Sequence, residues 1–268
     1  MLSVSWFKIL TFFGVWAAIW LPIAVVVSRF IDWQPNEPLT PKKKLILLAS
    51  LYIIIPGIVT WKINVESLSW AKIGFSTMSP ILWHLLWGLI LSLGSLIIVF
   101  SVESIFKLID WRWQNRSQIL PLLLPIFCLS LLISLIEELV FRGYVFSTLL
   151  VDNPLWIAAL TSSFIFAVLH LIWERNQTFP QIPGLCLMGI VLVAARIIGD
   201  GSLYLAVGLH AGWIWGLTCI DSAELITYQY QSHWFTGVNQ QPLAGMAGIL
   251  CLAITSLTMF GLVFDNLL

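Results

Sequence analysis

An all-α polytopic membrane protein with about eight transmembrane helices is the fold class that this sequence predicts. Hydrophobic residues make up 59% of the 268 and charged residues only 10%, where soluble domains carry roughly 25% charged residues. The apolar residues also fall into runs of about 20, the length a helix needs to cross the hydrocarbon core. Fifteen tryptophans are the third observation. Trp20, Trp33, Trp61, Trp111, Trp113 and Trp173 fall near predicted helix ends, where an interfacial aromatic belt would hold them.

The predicted spans run over 6–28, 44–61, 81–106, 120–150, 155–172, 184–198, 203–220 and 243–264. The first lacks a compact basic n-region and an A-x-A-like cleavage site, so it reads as a retained span rather than a secretory signal. Pro22, Pro56 and Pro125 fall inside spans one, two and four, which a membrane helix tolerates with a kink. Span four is the longest and calls for tilt or projection beyond the bilayer. Pro154 marks the turn into span five. Span six is short and ends at Arg196; with Asp200 close behind, a local ion pair or loop cap is expected. Between Trp61 and Pro80, Lys62, Glu66 and Lys72 fit either an interfacial amphipathic helix or a plain loop. The polar stretch 221–242 is a long loop, with His233 expected in solvent. The chain divides into N-terminal helices and loops at 1–118, a motif-bearing helical core at 119–220, and a polar loop with the last span at 221–268. No internal repeat is evident, which removes the signature of many transporters.

Net charge is zero and no basic stretch exceeds Lys42–Lys44, so nucleic acid is not an expected partner and membrane lipids are. The side with the first, third, fifth and seventh loops holds Arg29, Lys42, Lys43, Lys44, Lys107, Arg112, Arg116 and Arg175, against Lys8, Lys62, Lys72 and Arg196 opposite. That surplus assigns the odd loops to the cytoplasm. Cys128, Cys186, Cys219 and Cys251 lie in or at the ends of apolar runs without a C-x-x-C pair, so they read as small buried hydrophobes.

The chemistry concentrates in LLISLIEELVFRGY, residues 131–144. A carboxylate in hydrocarbon is expensive unless paired, protonated or wetted, and such groups usually mark function. Glu138 and Arg142 stand four residues apart and can neutralise each other across one turn. Glu137 projects about 100° away, leaving it as the carboxylate free for chemistry. His170 closes FAVLH in span five and His210 lies in GLHAGW in span seven, at depths that allow all three to meet. Glu137 with a histidine can activate a water as general base while the second histidine stabilises an oxyanion. Equally, Glu137, His170 and His210 make a His2Glu set for a divalent metal such as zinc with an open position. Both chemistries satisfy the same residues.

EELVFRG, then FAVLH, then GLHAGW resembles the CPBP family of intramembrane proteases, also called the Abi or type II CAAX prenyl endopeptidase family. Its motifs are E-E-x-x-x-R, F-x-x-x-H, and a histidine commonly followed four residues later by Asn or Asp. Glu137, Glu138 and Arg142 match the first, Phe166 and His170 the second, and His210 the third, with Ile214 at the polar position. The resemblance implies a membrane endopeptidase acting on a protein or peptide substrate, prenylated ones included. Glu137 and His170 would then activate water and His210 would help form the oxyanion site. Ile214 has no donor to offer that site, so a binding or regulatory protein with reduced activity is the first rival. A proton-coupled transporter is the second. Glu138 with Arg142 also suits a structural pair. His84, Glu103 and Lys107 read as interfacial or snorkelling groups, Gly143 as a close-approach residue, and Trp213 and Trp215 as packing residues or, in the sharper reading, as the wall of a lipid-like substrate pocket.

Overall fold

The computed structural model describes residues 4–265 apart from 35, 36, 38, 76–79, 173 and 174, with side chains as far as 261. Trp173, placed above in the interfacial belt, lies outside the described residues. Eight long helices occupy the expected spans: α1 Val4–Phe30, α2 Pro41–Val65, α3 Ile81–Ile105, α4 Leu120–Leu149, α5 Leu155–Leu169, α6 Ile182–Ile198, α7 Tyr204–Ser222 and α8 Met246–Asp265. Among the described residues six helical segments are long and apolar enough to cross a membrane, corresponding to α1 to α6 with short flanking turns. The protein is an all-α integral membrane protein of the multi-pass kind.

Local chemistry sets the helix limits. Thr40 caps α2, its hydroxyl accepting from the Lys43 N–H at 3.4 Å with Pro41 in the first turn, a position where proline's missing N–H removes nothing. Pro154 is extended (ψ 156°) and precedes the first residue of α5. Pro22, Pro56 and Pro125 all stay inside continuous helices.

The closest helix pair is α3 against α7. Gly208, Gly212 and Gly216 recur every fourth residue on one face of α7, and a Cβ on them would strike the Leu85 carbonyl, the Ser92 hydroxyl and Leu96 respectively. Positions rise together along both helices, so α3 and α7 run parallel. Without a hydrophobic drive between helices in lipid, such small residues let backbones approach until dispersion and hydrogen bonds hold them. One such bond runs from Trp213 Nε1 to Ser95 Oγ, 3.3 Å. This seam seats α7, and with it His210, against α3.

Several expectations are corrected by packing. Residues 66–75 form turns rather than an amphipathic helix; Ile73 within them is fully buried, so the segment folds onto the bundle instead of floating on the interface. The polar stretch 221–242 is not a plain loop. Its Ile226–Tyr228 strand pairs antiparallel with Ile109–Trp111, closing the ends of α3 and α7. His233 is half-buried there, stacked on Tyr230 with ring centroids 5.4 Å apart and accepting the Phe235 N–H at 3.2 Å. Cys219 and Cys251 are buried, but Cys128 is exposed and Cys186 half-exposed, since they face outward from the bundle. Glu103 does not snorkel: it is 1% exposed.

Candidate active site

The chain carrying Glu137 and Glu138 leaves α-helical geometry immediately after them. Leu139–Val145 is a π-helical turn inside α4, and the Phe146 N–H bonds to the carbonyl of Phe141 five residues back. Such turns insert one extra residue into a helix and are frequent at functional sites. All seven residues of the turn are buried. Gly143 sits where a Cβ would lie 3.1 Å from the Ile73 carbonyl, so the turn packs on the 66–75 segment through a residue with no side chain.

Glu138 is completely buried and holds two partners on one oxygen. Arg142 Nη1 donates to its Oε1 at 3.0 Å, as the four-residue spacing requires, and His210 Nδ1 lies 2.9 Å from the same oxygen. The carboxylate oxygen can only accept from the guanidinium and is best served by Nδ1–H on His210, which leaves His210 Nε2 on the other side of the ring. That nitrogen is 3.7 Å from Glu137 Oε2. Glu138 is therefore more than the structural half of a pair: it joins the arginine to the histidine of α7.

Glu137 stands about 100° around the helix from Glu138, but it is not without a partner. The hydroxyl of Tyr52, from α2, donates to Glu137 Oε1. Tyr52 was not among the sequence candidates. A lone tyrosine within LYIIIP carried the signal, because a tyrosine buried in an apolar span needs a hydrogen-bond partner.

Phe166 organises the remainder. Its carbonyl accepts from His170 Nδ1 at 2.8 Å. A carbonyl cannot donate, so Nδ1 carries the proton and neutral His170 keeps its lone pair on Nε2. The F-x-x-x-H spacing supplies this bond because α5 ends at Leu169, one residue before His170. The Phe166 ring lies edge-on to His170 at 4.5 Å and to His210 at 6.0 Å, and under the Arg142 guanidinium at 4.4 Å. A cation over an aromatic face is attracted to it, so one phenylalanine touches all three motifs.

Glu137, His170 and His210 line one cavity of about 720 Å³ together with Tyr52, Trp213 and Ile214. Most other wall residues are apolar. The cavity reaches from these side chains past Leu217 to Trp20, Lys44, Thr178 and Leu243, towards the face that bears the odd-numbered loops. Trp213 thus belongs to the wall, whereas Trp215 packs outward, donating to the Leu123 carbonyl at 3.0 Å. Among the described residues no three His, Cys, Asp or Glu side chains converge to hold a metal ion. Glu137, His170 and His210 share a cavity here without forming the compact His2Glu cage that zinc needs.

Two buried clasps fix the π turn from behind. Tyr144 donates to Glu66 Oε1 at 2.8 Å, and Glu66 also meets Lys8 and Lys62, each at 3.0 Å. Arg196 Nη2 donates to the Lys72 carbonyl and to Ser147 Oγ, both at 2.9 Å, while Nε caps the Gly201 carbonyl at 3.2 Å; the loop-cap expectation holds, extended to α4. Burial pushes the Glu66 carboxyl up, but hydrogen bonds from Tyr144, Lys8 and Lys62 and the Lys62 charge outweigh it and hold it below the ordinary value. A carboxyl whose folded value is depressed contributes stability above its unfolded value, and that contribution disappears as pH falls through the folded value. The melting temperature should therefore decline below about pH 4.5, the ordinary carboxyl value. Glu66→Gln should lower it at neutral pH and flatten that decline; an equally steep decline in the variant would remove Glu66 from the cause.

Residues 118–216 match the Rce1-like family, described as type II CAAX prenyl endopeptidase Rce1-like. No curated protein and no solved structure matches the chain. The matched segment contains α4 to α6 and the part of α7 with His210, hence every motif residue. Tyr52, Lys8, Lys62 and Glu66 lie outside it. That segment of this multi-pass membrane protein is thus similar to the Rce1-like family.

Proposed function

We propose that the protein is an intramembrane endopeptidase that hydrolyses peptide bonds of membrane-associated substrates, prenylated ones included, with a water activated by Glu137 and His170. The observation that carries this reading is Glu137 Oε2 lying 3.7 Å from His210 Nε2 at the end of a cavity large enough for a peptide or lipid-like chain. Tyr52 occupies Oε1, so Oε2 is the oxygen left to take a proton from water. The resulting hydroxide adds to the scissile carbonyl, and Glu137 returns the proton to the leaving amine. His170, with its lone pair on Nε2, accepts the water's second hydrogen bond.

His210 faces the oxyanion. Its Nδ1 is held by Glu138, and an imidazolium there would offer Nε2–H to the developing oxyanion. Glu138 and Arg142 position that ring without touching the substrate. The cavity opens towards the face with the surplus of Lys and Arg, so substrates would enter from the cytoplasm.

The test is cleavage by the purified protein in detergent, scored on membrane-extract peptides that accumulate in a deletion strain, with and without 1,10-phenanthroline. Turnover that survives the chelator supports the water mechanism. Turnover lost to the chelator and restored by zinc would return a metal to the site.

Tyr52→Phe removes one hydrogen bond to a charged group, an interaction worth roughly 1.5–3 kcal/mol. Turnover should fall by about one to two orders of magnitude with KM little changed. Equal rates for both proteins would show that Glu137 needs no orienting partner.

Ile214 lines the cavity four residues beyond His210, and this favours the second reading, a member with reduced activity that binds more than it cuts. Ile214→Asn adds a donor where the oxyanion forms, and one such donor contributes about 2.7–4 kcal/mol. The variant should cleave poor substrates roughly 100-fold to 1000-fold faster. Unchanged turnover in a folded variant would mean that the natural oxyanion site is complete.

A further inference from the structure

Glu103 has no part in the site described above, yet it is an acid in the last turn of α3 with 1% exposure. Its Oε2 has no hydrogen-bond partner among the described residues. Buried carboxyls are normally paired or hydrogen-bonded, because desolvating the group without compensation is unfavourable. Glu103 lines a second cavity of about 50 Å³, closed by Val99 and Phe100 of α3 and by Ala247, Cys251 and Leu252 of α8. No Lys, Arg or His is among its described wall residues.

This small cavity is not isolated. Met188, Trp213, Leu217 and Leu243 form part of its wall and part of the wall of the large cavity. Trp213 is three residues beyond His210, so the partition between the cavities begins one helical turn from the candidate chemistry. A ligand extended along the large cavity therefore meets the small one across these four residues.

We infer that the small cavity is a subsite for a primary ammonium group of the ligand held in the large cavity, with Glu103 as its counter-charge. The space admits a group of a few heavy atoms. Its apolar wall suits the methylenes that lead to an ammonium, and the buried carboxylate supplies what the head group loses on leaving water. A neutral hydroxyl gains no ion pair there, and an anion is repelled. The inference rests on the large cavity being the substrate site, as proposed above, and it adds that a lysine side chain or an aminoethyl head group on the substrate or a neighbouring lipid is bound beside the scissile bond.

Binding separates this from the catalytic reading. The detergent-purified full chain is titrated with n-pentylamine and with 1-pentanol at neutral pH, following the melting temperature. Pentylamine should bind about tenfold tighter, the factor one charge-assisted hydrogen bond supplies. Glu103→Gln should erase the preference, and so should Cys251→Leu, which fills the cavity while keeping the carboxyl. Glu137→Gln should retain the preference even where it ends turnover. Equal binding of amine and alcohol by the natural protein overturns the subsite, as does a preference that survives Glu103→Gln and vanishes in Glu137→Gln. Competition by N-acetyl-lysine methylamide against lysophosphatidylethanolamine then assigns the ammonium to a peptide or to a lipid, both within the inference; failure of both to compete overturns it.

Discussion

Glu137→Gln is expected to lower turnover by roughly 100-fold to 10,000-fold, the range that a positioned general base contributes, while leaving the bundle folded. The amide oxygen of glutamine can still accept from the Tyr52 hydroxyl, so the α2 to α4 contact survives the change. Glutamine cannot take a proton from water at the second position. The loss should appear in kcat with KM little affected, because the carboxylate acts on the water and not on the bound chain. Retention of turnover within tenfold of the natural protein would move the base elsewhere, and His170 would be the next residue to replace.

Arg142→Ala should be the most destabilising single substitution, at about 3–5 kcal/mol, because it strands a fully buried carboxylate. Glu138 would keep only His210 Nδ1 on its partnered oxygen, and Phe166 would lose the cation over its ring. Thermal unfolding in detergent, read through the tryptophans, measures this directly. A double substitution sharpens the test, since replacing a whole buried pair by apolar residues is often neutral. Glu138→Leu with Arg142→Met should recover most of the melting temperature yet leave turnover impaired, because His210 has lost the carboxylate that orients it. A melting temperature unmoved by Arg142→Ala, with turnover abolished, would instead place Arg142 on the substrate.

The helices were legible because membrane helices must satisfy their own backbone and so write themselves as apolar runs of sufficient length. The Glu138 and Arg142 pair was legible from spacing alone, and it survives the departure from α-geometry because the four-residue separation remains in reach. What escaped depends on contacts between distant segments. Nothing in LVFRGYV marks a π turn; it follows from Gly143 seating on the Ile73 carbonyl and from the two clasps behind it. Tyr52 was hidden because its partner lies 85 residues on. The pairing of Ile109–Trp111 with Ile226–Tyr228 joins strands too short to show an alternating pattern. Glu103 was misjudged because its depth depends on α8 packing over it, which charge and position in the span do not reveal.

The extra residue in the π turn gives α4 two phases within one continuous rod. Upstream of Leu139 the helix presents Glu137 and Glu138 to α2 and α7; downstream, Tyr144 and Ser147 meet Glu66 and the 66–75 segment. Closing the turn to α-geometry with all seven residues kept would swing everything beyond it by about 100° relative to everything before, whereas removing one residue would let an ordinary α-helix hold both sets of contacts. No substitution in this stretch has an effect of that kind, since a substitution alters a contact and a further inserted residue alters the angle between two sets of contacts. Alleles of this protein that gain a single codon between Leu139 and Val145 should therefore behave as nulls however conservative the residue, while the same change in the turn that ends at Pro154 should be absorbed.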